Sequence, residues 1–243
     1  MLDGTKTGLT VYFVSGAFEK EIELPTKYMS LKVADRHQAY TVKDITVIDA
    51  HCVAVLRKNN ILRVNIESKA IKSIVEKFPE RHPDYLKFSC SREFLYLLTS
   101  DFRVIVMGLA GNIVNTIQLE KKLTYSLGIS SYDIYDNNIW VLSGSSSWSY
   151  LNCFDMNGKK LWQKKIDKQK SKIQITIDNW GNCYVPNEKI KSVSVISHNG
   201  QHSKVLSSES YTPRALYFDH TNSRLIVLHV EGYCTISKAR SHD

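Results

Sequence analysis

Eight histidines (His37, His51, His82, His198, His202, His220, His229 and His242) and five cysteines (Cys52, Cys90, Cys153, Cys183 and Cys234) could hold a metal or form a nucleophile with its base. Their spacing supports neither role. The cysteines lie tens of residues apart with no CxxC pair, which excludes a zinc ribbon or RING finger from this chain. His198 and His202 are four apart, but SHNGQH reads as a hairpin turn and not as the helix that would align them. Asp155-Met156-Asn157-Gly158 opens like a calcium loop, yet the sixth-position glycine and twelfth-position glutamate are missing, so a turn is expected. The hydroxyl-rich run Ser143–Ser149, SGSSSWS, has no flanking elbow glycines. GxSxG, GxxxxGK[ST], HExxH and GxGxxG are all absent. These residues predict no catalytic centre, no metal and no cofactor; the chemistry left is binding.

Binding chemistry is concentrated in one segment. From Lys159 to Lys172 the chain reads KKLWQKKIDKQKSK, seven lysines against the single acid Asp167. Residues 1–120 carry 16 Lys/Arg against 14 Asp/Glu, whereas residues 121–243 carry 16 against 10, so most of the net +8 sits in the second half. Trp148 lies among serines in a loop and reads as an exposed contact anchor. Trp140 and Trp162 fall inside apolar strands and read as core, while Trp180 sits in a turn. A cationic ridge of Lys165, Lys168, Lys170 and Lys172 beside an exposed ring joins charge attraction to a stacking surface, which single-stranded RNA exploits. An acidic protein segment would use the same ridge.

The elements that must position these residues are strands. The chain has 243 residues, 43% of them hydrophobic and 23% charged, the composition of an ordinary globular protein with a substantial core. No stretch approaches eighteen apolar residues, so no membrane association is expected. An odd thiol count, with no glycosylation sequon and no leader pattern, predicts reduced cysteines in a cytoplasmic protein. Short β-branched and aromatic runs recur with a period of about forty residues. One recurring element is an aspartate-ended strand, a turn and a second strand: ITVIDAHCVAVL (45–56), YDIYDNNIWVL (132–142), ITIDNWGNCYV (175–185) and LYFDHTNSRLIVL (216–228). Its partner carries a turn glycine, at Gly111, Gly158 or Gly200.

Four short antiparallel strands at this period make one propeller blade. The expected fold is therefore all-β, a single β-propeller domain over 1–243. Five blades are expected over 44–238, at 44–79, 85–118, 124–166, 173–206 and 214–238. Residues 9–24 read as the last two strands of a further unit, within a partial first blade and connection over 1–43. This gives six blades with the first incomplete, or a five-bladed ring as the alternative. In an up-and-down blade, the loops joining strands two and three, and each blade to the next, share one face. That face collects Arg57, Lys58, Arg81, Arg103, Lys121, Lys122, Lys165, Lys168, Lys170, Lys172, Lys189, Lys191 and Arg214 against eight acids, an expected basic face.

The units ITIDNWGNCYVPNEKIKSVSVISHNGQHSKVL and TPRALYFDHTNSRLIVLHVEGYCTIS resemble NHL-type repeats. Their succession over 44–238 is similar to the C-terminal propeller of tripartite-motif (TRIM) proteins. That resemblance implies a non-catalytic recognition module for a protein substrate or partner in a ubiquitin-ligase context, the RING being absent from this chain. It also implies an RNA-binding propeller as the alternative, since some such propellers bind RNA on a basic face. An enzyme with its site in the propeller channel is the rival from another class. The residues expected to bind the partner are Trp148, Lys165, Lys168, Lys170, Lys172, Lys189, Lys191, Arg57, Lys58, Arg103 and Arg214.

Overall fold

The structure is a computed structural model that describes residues 2–4, 8–12, 18–23, 42–58, 60–78, 85–120, 128–144, 148–167, 173–208 and 211–239. Among these there is no helix, and so none long and apolar enough to cross a membrane. The chain divides into two compact units, Met1–Ile117 and Gln118–Asp243.

The first unit begins with a three-stranded antiparallel sheet, β1 (Leu2–Gly4), β2 (Gly8–Tyr12) and β3 (Phe18–Glu23). Two four-stranded meanders follow. Blade one is β4 (Val42–Val47), β5 (Cys52–Arg57), β6 (Ile61–Asn65) and β7 (Ile71–Val75). Blade two is β8 (Tyr85–Ser91), β9 (Phe94–Thr99), β10 (Arg103–Gly108) and β11 (Ile113–Gln118). The second unit continues with blade three, β12 (Gly128–Tyr135), β13 (Asn138–Gly144), β14 (Ser149–Asp155) and β15 (Lys160–Ile166). Blade four is β16 (Thr176–Ile177), β17 (Cys183–Asn187), β18 (Ser192–Ile196) and β19 (Ser203–Ser208). Blade five has three strands, β20 (Pro213–Asp219), β21 (Arg224–His229) and β22 (Cys234–Lys238). Five blades are counted among the described residues, the count of the five-bladed alternative. Residues 9–24 hold β2 and β3, which pair with β1 in a three-stranded sheet of their own and, among the described residues, with no strand of blade five.

The repeat has a physical cause at both ends of its first hairpin. At the strand end, an aspartate accepts hydrogen bonds from its own turn: Asp49 from His51 N at 2.8 Å, Asp178 from Trp180 N and Asn182 N at 2.9 and 2.8 Å, and Asp219 from Thr221 N at 3.1 Å. Asp155 does the same for Asn157 and Lys159, so the calcium-like DMNG stretch is a hairpin turn. Within the blades, apolar runs meet the next blade. Ala54, Leu56 and Ile61 pack with Phe88, Leu95, Leu97, Ile105 and Met107 in the first unit. In the second, Trp140, Leu142, Leu151 and Cys153 pack with Ile175, Ile177, Cys183 and Val185, and Tyr184 and Val193 with Leu216, Phe218 and Val227.

The innermost strand of each blade would expose a row of unpaired backbone N–H groups along its free edge. Side chains from the preceding blade fill that need. In the first unit Phe88 N donates to Asp44 Oδ2 at 3.1 Å and Cys90 N to Thr46 Oγ1 at 3.0 Å, each 44 residues away. In the second, Ile175 N donates to Ser131 Oγ at 2.9 Å and Phe218 N to Thr176 Oγ1 at 3.1 Å, across 44 and 42 residues. The forty-residue period of the sequence is thus also the period of these bonds.

Candidate partner-binding groove

Strand β14 begins just after Trp148, and β15 ends at Ile166. Their register pairs Ser149 with Ile166 and Tyr150 with Lys165, which brings Lys165 close to the tryptophan. The Lys165 ammonium stands over the Trp148 ring, 3.3 Å from its centroid. A desolvated cation in that position gains up to about 2 kcal/mol and an exposed one about 0.5–1. The ring is 45% exposed, so the smaller figure applies. The neighbouring Lys164 behaves differently. Its ammonium donates to Gly200 O at 3.0 Å, on the β18–β19 turn of the next blade.

These two lysines and Trp148 form one wall of a groove of about 400 Å³ between blades three and four. Val185 and Ile196 give it an apolar floor, both buried, while Ser194, Ser203, Asp167 and Asn187 add polar groups. Asn187 also organises the loop beyond it: its side-chain oxygen accepts from Lys189 N at 3.1 Å and Ile190 N at 3.4 Å, an Asx turn. The turn leaves Lys189, Ile190 and Lys191 exposed. Trp162 holds the outer strand against this blade. Its indole N–H donates to His198 O at 2.9 Å, and its ring meets Trp140 edge-on at 5.0 Å. A Cβ on Gly200 would come within 2.6 Å of that ring, and the residue's φ of +72° already favours glycine.

The expected binding residues do not all gather here. Trp148 and Lys165 line the groove, Lys189 and Lys191 are exposed on the loop just beyond its Asn187, and Arg214 is exposed on β20 in the same unit. Lys168, Lys170 and Lys172, like Arg81, Lys121 and Lys122, lie outside the described residues. In the first unit Lys58 is exposed, but Arg57 corrects the expectation: it is only 2% exposed. β5 is covered on both faces, and Arg57 ends that strand with its backbone N–H donating to Asn60 O. Arg103 is tied to Asp101 by two contacts, Nε at 2.8 Å and the terminal nitrogen at 2.7 Å.

No family model matches the chain, and no curated protein matches it. Solved structures do. The Neurospora crassa Pan2 WD40 domain aligns with a TM-score of 0.60 at 12% identity, over 95% of this chain and 69% of that one. A chain of the nidogen/laminin complex aligns at 0.60 and 12%, over 95% of this chain and 88% of that one. The complex of KlAtg21 with the coiled coil of AgAtg16 gives 0.57 and 14%, over 97% and 76%. WD40 domains are built from four-stranded blades, as here. The fold is a β-propeller.

All five thiols are free, and burial pushes Cys90 up to about 11, Cys153 up to about 12 and Cys183 well above its ordinary range. At neutral pH these remain thiols, poor nucleophiles and poor ligands. Three successive turns in the second unit meet at Tyr135, Asn179 and His220. The rings of Tyr135 and His220 stack at 5.0 Å, His220 Nδ1 bonds Asn179 Oδ1 at 2.7 Å, and Tyr135 O–H donates to Asn179 O at 3.1 Å. Desolvation holds His220 below its usual pKa, against the pull of Asp178 and Asp219, which favours the neutral ring as a brace. Among the described residues no three His, Cys, Asp or Glu side chains converge as metal ligands.

Proposed function

We propose that this propeller is a non-catalytic recognition module for a protein partner, and that the groove between blades three and four is its contact site. One observation carries the reading: Lys165, held over exposed Trp148 at the groove wall, meets no carboxylate among the described residues. An ammonium in that state is an attractive receiver for a partner's acid, and the adjoining ring is a hot-spot anchor. Two similar propellers come from complexes with protein, the coiled coil of AgAtg16 and the nidogen/laminin pair, which supports the class of ligand. In the TRIM-like ubiquitin-ligase context that the NHL-type repeats resemble, the occupant is a substrate, and the RING belongs to another part of the parent protein. Five free thiols suit the reducing cytoplasm.

Binding of single-stranded RNA is the second reading, favoured by the same juxtaposition of lysine and tryptophan. A photo-crosslinking residue placed at Trp148, and in a second protein at Trp180, decides between them in the cells that make this chain. Protein adducts at 148, sparse ones at 180, and their loss on Lys165→Glu support a protein-binding groove. RNA adducts at 148 support the second reading, and equal labelling at both positions removes the groove from either.

A further inference from the structure

The groove is one end of a longer surface. Asp167, on its rim, accepts from Asn187 Nδ2 at 3.5 Å, which links the end of blade three to the β17–β18 loop of blade four. Asn187 in turn shapes the turn that exposes Lys189, Ile190 and Lys191. The corresponding β21–β22 turn of blade five carries Glu231 and Tyr233. Glu231 accepts from Thr212 N at 3.0 Å. Next to Thr212, Tyr211 stacks on Tyr233 with centroids 4.5 Å apart. Trp148, the Lys189–Lys191 turn and Tyr233 each lie between the second and third strands of their blade, so the up-and-down order puts all three on one face of the second unit.

Its chemistry repeats along the way. Each of these three blades offers a large exposed side chain and an exposed cation: Trp148 with Lys165 over its ring, Ile190 between Lys189 and Lys191, and Tyr233, 54% exposed, in the blade whose strand β20 carries Arg214. Apolar side chains of this size, exposed in a row on one unit, mark an interaction surface. The charges say which kind. Against these four cations stand Asp167, Glu188 and Glu231, interleaved with them. A polyphosphate backbone places a negative charge at every step and would meet each of those carboxylates. A protein segment can place its acids only opposite the cations and its apolar side chains in between.

We infer that blades three to five form one continuous docking surface for an extended protein segment in which acidic residues alternate with large apolar ones. This rests on the protein-binding reading of the groove and extends it by naming the far anchors, Ile190 and the Tyr211–Tyr233 stack, and the partner's sequence chemistry.

The test is selection of binders from a displayed library of random peptides on the purified chain, followed by titration of the strongest. Enriched peptides should combine acids with aromatic or aliphatic residues. Binding should fall about tenfold with Trp148→Ala and by a similar factor with Tyr233→Ala, both exposed positions whose replacement leaves the fold intact. Enriched peptides without acids, or no enrichment at all, overturn the inference. Loss with Trp148→Ala but none with Tyr233→Ala or Ile190→Ser also overturns it, yet leaves the groove reading standing. Indifference to Trp148→Ala and Lys165→Ala removes the groove itself. Tighter binding of an unstructured oligouridine than of any selected peptide, with a log–log salt slope of about 0.7 per phosphate, assigns the surface to RNA instead.

Discussion

Blades one and two join by the same device as blades three and four, but the two pairs treat charge differently. In the first unit one of the two acceptors closing the inner edge is a carboxylate, the other being the Thr46 hydroxyl. Asp44 takes Phe88 N and stands 3.9 Å from Lys87 Nζ. In the second unit the acceptors are hydroxyls, Ser131 between blades three and four and Thr176 between blades four and five. The loops follow suit. Arg103 is neutralised by Asp101, and Arg63 by Asp49 at 3.2 Å, whereas Lys165 rests on an aromatic face and has no ion pair among the described residues. The same scaffold therefore pairs Arg63 and Arg103 with carboxylates in one half and sets Lys165 on an aromatic ring in the other. Surface charge counts alone do not separate these cases; the partner of each cation does.

The sharpest way to break the comparison is at the turn glycines. Gly111 of the first unit and Gly200 of the second both have positive φ, and an added Cβ would run into the Ile74 carbonyl in one and the Trp162 ring in the other. Alanine at either should destabilise by about 2–4 kcal/mol, with Gly111 the worse because a backbone oxygen cannot step aside. Gly232, at φ +86° with open space around it, should lose only about 1–2 kcal/mol. Urea unfolding ranks the three; Gly200→Ala no worse than Gly232→Ala would mean that the Trp162 clamp yields.

The edge acceptors come next. Ser131→Ala leaves Ile175 N without its partner at a buried joint and should lose about 1–3 kcal/mol. An unchanged unfolding midpoint would show that the bond is dispensable.

The carboxylate version carries a pH signature that the hydroxyl version lacks. Desolvation raises the Asp44 pKa in the folded chain, only partly offset by Lys87 and by the N–H groups of Phe88 and Ile45. A carboxyl with a raised folded pKa favours the folded state at low pH, and that benefit is lost as pH rises from about 3.8 through the folded value. Asp44→Asn removes the titration, so the variant's stability relative to the parent should climb with pH over that window. A difference that stays flat, or that falls, contradicts the burial of this charge.

The smallest effect is expected where binding is largest. Trp148→Ala and Lys165→Ala should each change stability by no more than about 0.5 kcal/mol, since both side chains are exposed. A loss of several kcal/mol would make the pair a structural clamp like Trp162.

Much of this architecture could be read from residue order. The aspartate-ended strands and turn glycines mark hairpins because each does a local job, Asx bonding at Asp178 and positive φ at Gly200. Local jobs leave local patterns. Arg57 escaped the same reading because the apolar run ends at Leu56, which puts Arg57 in the loop, whereas β5 runs on through Arg57 and is buried along its whole length. The groove was half legible. Trp148 and Lys165 stand out by composition, while Val185, Asn187, Ser194 and Ile196 come from another blade and reach the same space only through inter-blade packing. Nor does the lysine run distinguish Lys164, tethered to Gly200 O, from Lys165 beside it. Only Asn187 carried a signal, an Asx former just before a turn.

The bonds that cross between blades also have a direction in time. In all four, the acceptor precedes the donor along the chain: Asp44 before Phe88, Thr46 before Cys90, Ser131 before Ile175 and Thr176 before Phe218. During synthesis from the N-terminus, each new inner strand leaves the ribosome after the residue that will receive it has already been made. Within each unit, nascent chain can therefore dock strand by strand onto a waiting template.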